Sequence, residues 1–196
     1  RVVSFVNGIY HSRDEWAAIA DNLERIFECR VMPFYNPTSG WWADFSKATF
    51  ERYFKKPADE EVVVNLTAHL RTCLDYAGKG GRVLHIAHSG GAILTYLCAK
   101  RYLTTSERAR IDVTTFGGGR SLTRKYFTGR TINYYARNDP LLLVDSRAQA
   151  MSKMVKNETW DEVVYTKHNT SFIFLKGQLK NPIADHGMEG PTYGLG

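Results

Sequence analysis

The sequence predicts an α/β protein: a mostly parallel central sheet with helices on both faces. Three observations carry this. Short runs rich in β-branched and aromatic residues alternate with longer stretches of helical periodicity along almost the whole chain, and strands separated by helices pair parallel through crossovers. The runs Val2–Val6 and 82–87 are apolar enough to be covered on both sides, as strands of parallel sheets are. At 196 residues and 43% hydrophobic, the chain is long and apolar enough for one domain with its own core and too apolar for disorder.

Taken in order, Val2–Val6 reads as a buried strand closed by the turn Asn7-Gly8. Ser12-Arg13-Asp14-Glu15 fits a capping box, in which the Ser hydroxyl and Glu carboxylate satisfy free backbone N–H groups. The helix it starts should run to about Phe27, with Trp16, Ile19, Ala20, Leu23, Ile26 and Phe27 on one face. Residues 30–34 read as a second strand, followed by the turn residues Asn36-Pro37-Thr38-Ser39-Gly40. The aromatic-rich stretch 41–54 is in part helical and Pro57 interrupts it. An amphipathic helix over 59–76 stops at Gly78, Gly80 and Gly81. A buried strand over 82–87 leads into the tight turn His88-Ser89-Gly90-Gly91 and a helix over 92–102, with Ile93, Leu94, Leu97 and Cys98 facing the core.

Further strands are predicted at Ile111–Phe116, ending in Gly117-Gly118-Gly119, and at Thr131–Ala136, ending in Asn138-Asp139-Pro140. A helix over 145–155 and a last strand at Glu162–Lys167 follow. The tail after Gly177 is loop-like. No repeat, low-complexity tract or second domain interrupts the pattern, so residues 1–196 read as a single domain. The chain opens at Arg1 directly into a strand, with no signal peptide, as a piece of a longer protein would. No apolar run is long enough to span a bilayer.

The three cysteines, Cys29, Cys73 and Cys98, are odd in number, match no metal-site spacing and have apolar neighbours. They read as buried free thiols, with Cys98 packing in its helix. Such thiols fit a reducing compartment, although a secreted effector stays open. The formal charge of +6 favours anionic partners in general. Because the basic residues are scattered and no nucleic-acid motif appears, a solvated surface is the better account and nucleic acid is not an expected partner.

The strongest motif is Ala87-His88-Ser89-Gly90-Gly91, between a strand and a helix. It varies the nucleophile elbow G-x-S-x-G, whose small residues let the chain turn sharply and raise a serine above the sheet. A phosphate-binding glycine turn or a plain strand–helix junction would be the alternative. An activated serine needs a base, and the base needs an orienting acid. Asp139, after a later strand, is the candidate acid; Asp145 competes but suits the cap of the next helix. Two histidines follow. His186, in the loop Asp185-His186-Gly187, is preferred as the base over His168, which closes a strand. Backbone N–H groups of Gly90 and of Ile9, or else Tyr10, would form the oxyanion hole. His88 reads as structural or substrate-lining, His85 as a satisfied core histidine, and His11 and His69 carry no signal.

Val6-Asn7-Gly8-Ile9, Ala87-His88-Ser89-Gly90-Gly91, Asn138-Asp139-Pro140 and Asp185-His186-Gly187 resemble, in order, the oxyanion loop, elbow, acid and base segments of the α/β-hydrolase superfamily. The resemblance covers nearly the whole chain, with the first strands of a full-sized member missing. Asn7 stands where many lipases have His, and Ala87 where most members have Gly. More narrowly, the Asn-Gly opening, the elbow and the ending from Asp185-His186 to Pro191-Thr192-Tyr193 are similar to an uncharacterised hydrolase-like family of chlamydial proteins. The resemblance implies an esterase- or lipase-like serine hydrolase acting on a small-molecule or lipid ester or thioester, with neither metal nor organic cofactor. The same triad could serve an acyltransferase, amidase or peptidase, or stand in a non-enzymatic binding or effector domain. Trp41 and Trp42, with the basic residues that follow, could line an acyl groove or touch an anionic membrane, or simply pack on the sheet. The sequence leaves the oligomeric state open.

Overall fold

The computed structural model describes residues 2–8, 11–36, 60–143, 145–154, 162–167, 169–177, 186–188 and 192–193. Among the described residues seven strands form one sheet: β1 (Val2–Val6), β2 (Val31–Phe34), β3 (Val83–His88), β4 (Ile111–Phe116), β5 (Thr131–Ala136), β6 (Glu162–Lys167) and β7 (Thr170–Leu175). Their spatial order is β2-β1-β3-β4-β5-β7-β6. Every neighbouring pair is parallel except β6 with β7. The mostly parallel sheet predicted from the sequence is therefore present, with one antiparallel edge.

The helices among the described residues are α1 (Arg13–Phe27), α2 (Glu60–Tyr76), α3 (Gly90–Arg101), α4 (Thr105–Ala109) and α5 (Ser146–Met154). Side-chain alternation assigns them to faces. Val3, Phe5, Val31, Leu84 and Ile86 form a core with Ile19 and Leu23 of α1. Residues of opposite parity, Val6, Val83, Ala87, Ile111 and Val113, pack with Leu66 and Leu70 of α2 and Cys98 of α3. Tyr135, Phe172 and Phe174 extend that second face and meet Ala148 of α5.

The capping box at Ser12 forms, with Glu15 N–H on the Ser12 hydroxyl at 3.1 Å and Ser12 N–H on the Glu15 carboxylate at 2.7 Å. Three expectations need correcting. Ile26 and Phe27 are 54% and 37% exposed; the last turn of α1 lies past the strand residues that Ile19 and Leu23 cover. Cys29 is only half-buried, unlike Cys73 and Cys98. Glu162–Lys167 is not the last strand. Asn169, at φ 60°, turns the chain back, and the apolar run Thr170–Leu175 inserts between β5 and β6. A buried strand next to a tight turn has no polar alternation to mark it.

The order of connections matters for function. From β1 the chain moves outward to β2; from β3 it moves the other way, to β4 and β5. The reversal falls between β1 and β3, and crevices at such switch points, beyond the carboxyl ends of the strands, are where open α/β sheets bind ligands.

Candidate active site

Ser89 follows the last residue of β3 and caps α3, with φ 51° and ψ −119°. A side chain at positive φ is strained, and the surroundings hold it there. Ser89 N–H donates to the Phe116 carbonyl at 3.0 Å, and the Ser89 carbonyl accepts from Gly119 N–H at 3.0 Å. The residue is thus tied on both sides to the end of β4. Gly90 opens the helix, so its N–H belongs to the first turn, where helical N–H groups lack intrahelical acceptors and carry positive partial charge.

Across the switch point, the loop after β1 comes against this turn. A Cβ on Gly8 would lie 2.7 Å from Ser89 Cβ and 3.3 Å from Ser89 Oγ, so only glycine allows the approach. The buried Asn7 holds the loop: its Oδ1 accepts from Asn36 N–H at 2.6 Å and its Nδ2 donates to the Gly8 carbonyl at 2.8 Å. Here the amide ties the end of β1 to the end of β2.

Asp139 lies beyond β5 and is 2% exposed. One carboxylate oxygen accepts from Leu141 N–H at 2.8 Å. The other is 2.9 Å from His186 Nδ1 and also accepts from the Tyr193 hydroxyl at 3.3 Å. That hydroxyl in turn accepts from Ala136 N–H at 3.1 Å. With Nδ1–H on Asp139, the imidazole presents Nε2 as the atom able to take a proton. Gly117, at φ +50°, lets the pair sit against the end of β4. A Cβ there would be 2.6 Å from His186 Nδ1 and 2.8 Å from Asp139 Oδ2. Gly117 directly follows Phe116, whose carbonyl holds Ser89. The serine and the His–Asp pair therefore rest on adjacent residues of one short loop.

Ser89, Asp139 and His186 are thus gathered at the switch-point edge. Asp145 is elsewhere employed: its Oδ1 accepts from Arg147 and Ala148 N–H at 2.9 and 3.0 Å, and its Oδ2 accepts from Ser121 N–H. It caps α5 and pins the loop after β4. His168, Ile9, Tyr10, Trp41 and Trp42 lie outside the described residues.

His85 is fully buried, bonded through Nδ1 to Ser4 Oγ at 3.0 Å and through Nε2 to Thr95 Oγ1 at 2.9 Å. His69 joins this chain at Ser4 Oγ, 3.2 Å away. Burial lowers the His85 pKa to about 3. His11, which carried no signal in sequence, packs edge-on against His88, ring centres 5.0 Å apart. Tyr193, noted in sequence only as part of the ending that carries the narrower resemblance, bonds to Asp139. Only the fold brings either one there.

Comparison with protein-family models finds no match, and neither does comparison with curated proteins. Among solved structures, the chain is similar to a protein described as a YdeN-like hydrolase from Pectobacterium atrosepticum. The identity is 15% and the TM-score 0.47, over 100% of this chain and 87% of that one. It is also similar to a protein from Xanthomonas campestris pv. campestris described as a hydrolase of the alpha/beta superfamily. There the identity is 11% and the TM-score 0.47, over 89% of this chain and 86% of that one.

Proposed function

We propose that the chain is a serine hydrolase of the α/β-hydrolase kind, cleaving an ester or thioester through an acyl-enzyme. The supporting observation is that a strained Ser89 and the His186–Asp139 pair, 2.9 Å between Nδ1 and Oδ2, rest on adjacent residues, Phe116 and Gly117, at the end of β4. A plain strand–helix junction has no need of a serine at φ 51° beside such a pair.

In this reading Ser89 Oγ attacks the acyl carbonyl and His186 Nε2 takes its proton. Asp139 keeps the imidazole in the tautomer that leaves Nε2 bare and stabilises the imidazolium that forms. The Gly90 N–H, joined by one from the loop after Gly8, with Ile9 as the candidate, holds the oxyanion. The imidazolium returns its proton to the leaving group. Water, activated by the same histidine, then releases the acid.

Labelling with a fluorophosphonate probe, read by intact mass, tests this. The expected result is one label per molecule, lost in Ser89→Ala and in His186→Ala. On ester substrates, Ser89→Ala should lower turnover by several orders of magnitude, roughly 10³ or more, with a residue from binding and the oxyanion hole. A folded wild type that takes no label would overturn the reading in favour of a binding domain. Ester, thioester and peptide substrates tried side by side identify the acyl group transferred.

A further inference from the structure

His88 directly precedes Ser89, and strand parity turns its side chain onto the α1 face, with Leu84 and Ile86. The segment carrying His186 returns over that same face. Met188 packs with Val3, Phe5 and Ile86, and Tyr193 lies edge-on to Phe116, ring centres 5.4 Å apart. There His88 Nε2 stands 3.0 Å from the backbone carbonyl oxygen of His186. A carbonyl only accepts, so Nε2 carries the proton. The ring is 2% exposed; burial and the neighbouring His186 and His11 push its pKa well down, which keeps it neutral. Nδ1 is consequently a bare acceptor. Among the described residues it has no hydrogen-bond partner, and it faces the loop after β1, where a Cβ on Gly8 would come within 3.0 Å of it. The rings of His88 and His186 lie 4.9 Å apart, tilted by 34°. Among the described residues no three His, Cys, Asp or Glu side chains could hold a metal ion.

We propose that His88 is a positioning residue for the base: its Nε2–H grips the backbone of His186, so that both ends of that residue are fixed. The proposal rests on reading Ser89, His186 and Asp139 as the triad. Asp139 alone fixes one ring nitrogen, about which the imidazole could still swing as χ1 and χ2 rotate. A second point on the main chain removes that freedom and sets where Nε2 points. Because His88 is joined through one peptide bond to Ser89, the grip also ties base to nucleophile along the shortest covalent path.

The test compares His88→Phe, which keeps a ring without the donor, with His88→Gln, whose side-chain amide N–H can replace Nε2–H. Two readouts are taken: the fluorophosphonate labelling rate, and the low-field NMR signal of the His186 Nδ1–H, assigned by its loss in His186→Ala. Expected for His88→Phe is a rate lower by on the order of 10- to 100-fold and a broadened or missing signal; His88→Gln should recover both. Should His88→Phe not fold, His88→Asn takes its place, since its amide reaches the Nδ1 position but not Nε2. Wild-type rate and an intact signal in His88→Phe or His88→Asn would overturn the proposal. So would a folded His88→Gln as impaired as those variants. If the wild type takes no label, the hydrolase reading fails, and the NMR signal alone still decides whether His88 holds His186.

Discussion

At the scale of the residue, Gly117 shows how the site depends on an absent side chain. A methyl group there would overlap both His186 and Asp139, with contacts of 2.6–2.8 Å, and would sit on backbone at φ +50°. The strain for a non-glycine residue is about 1–2 kcal/mol, while the steric conflict falls on the pair itself. Gly117→Ala is therefore expected to fold with a modest loss of stability and to label at least about tenfold more slowly, a barrier change of about 1.4 kcal/mol. Labelling kinetics beside a melting curve separate the two effects. An unchanged rate in a folded Gly117→Ala would show that the pair does not need the close approach. Gly8 plays the matching part on the other side of Ser89, so that serine lies between two loops whose glycines admit it.

At the scale of the element, the two candidate acids separate by what they hold. Asp145 caps α5 with two backbone hydrogen bonds and takes a third from Ser121 N–H. Removing it orphans buried donors and a helix start. Asp145→Ala is expected to cost about 2–3 kcal/mol of stability yet to leave the labelling rate per folded molecule near wild type. Asp139→Asn keeps an oxygen for Leu141 N–H but loses the charge and tautomer control over His186. Its stability should change little while turnover falls by roughly 10³–10⁴. Denaturant titration together with turnover gives both quantities. A large activity loss in Asp145→Ala and none in Asp139→Asn would reverse the assignment. The missed strand β7 belongs to this scale too: by pairing parallel with β5 it covers the side of the strand whose carboxyl end leads to Asp139.

At the scale of the whole molecule, buried neutral histidines link stability to pH. His85 has a folded pKa of about 3, and burial pushes that of His88 well below its ordinary value. In the unfolded chain both titrate near 6.5. Below that pH the unfolded state binds protons the folded state refuses, so stability is complete above about pH 6.5 and is lost as pH falls toward 3. The loss runs at about 1.4 kcal/mol per pH unit for each such histidine. Between pH 6.5 and the carboxylate range this effect stands nearly alone. Urea unfolding at pH 7 and pH 5 should show a steep loss, and His85→Gln, if folded, should show a slope smaller by about one histidine's share. Parallel slopes would mean that His85 is charged in the folded protein.

Much of this protein was legible in one dimension. Alternating runs announced the α/β class, Ser12 and Glu15 announced a capping box, and the small residues around Ser89 announced a sharp strand–helix turn. Each is a local matter, decided by backbone sterics and near neighbours in the chain. Other features were not local. The sequence could not say that β7 slips between β5 and β6, that the last turn of α1 overhangs its core, or that Asp145 reaches back to Ser121. Nor could it show which loops would meet: Gly8 against Ser89, Gly117 against the His186–Asp139 pair, His88 on the carbonyl of His186. Those contacts join residues far apart in the chain and exist only once the strand order reverses between β1 and β3. The sequence by itself determined which residue types were available for chemistry and the local turns that display them. The tertiary structure decided which of them share one edge of the sheet, because pairing strands across that reversal brings their carboxyl ends together there.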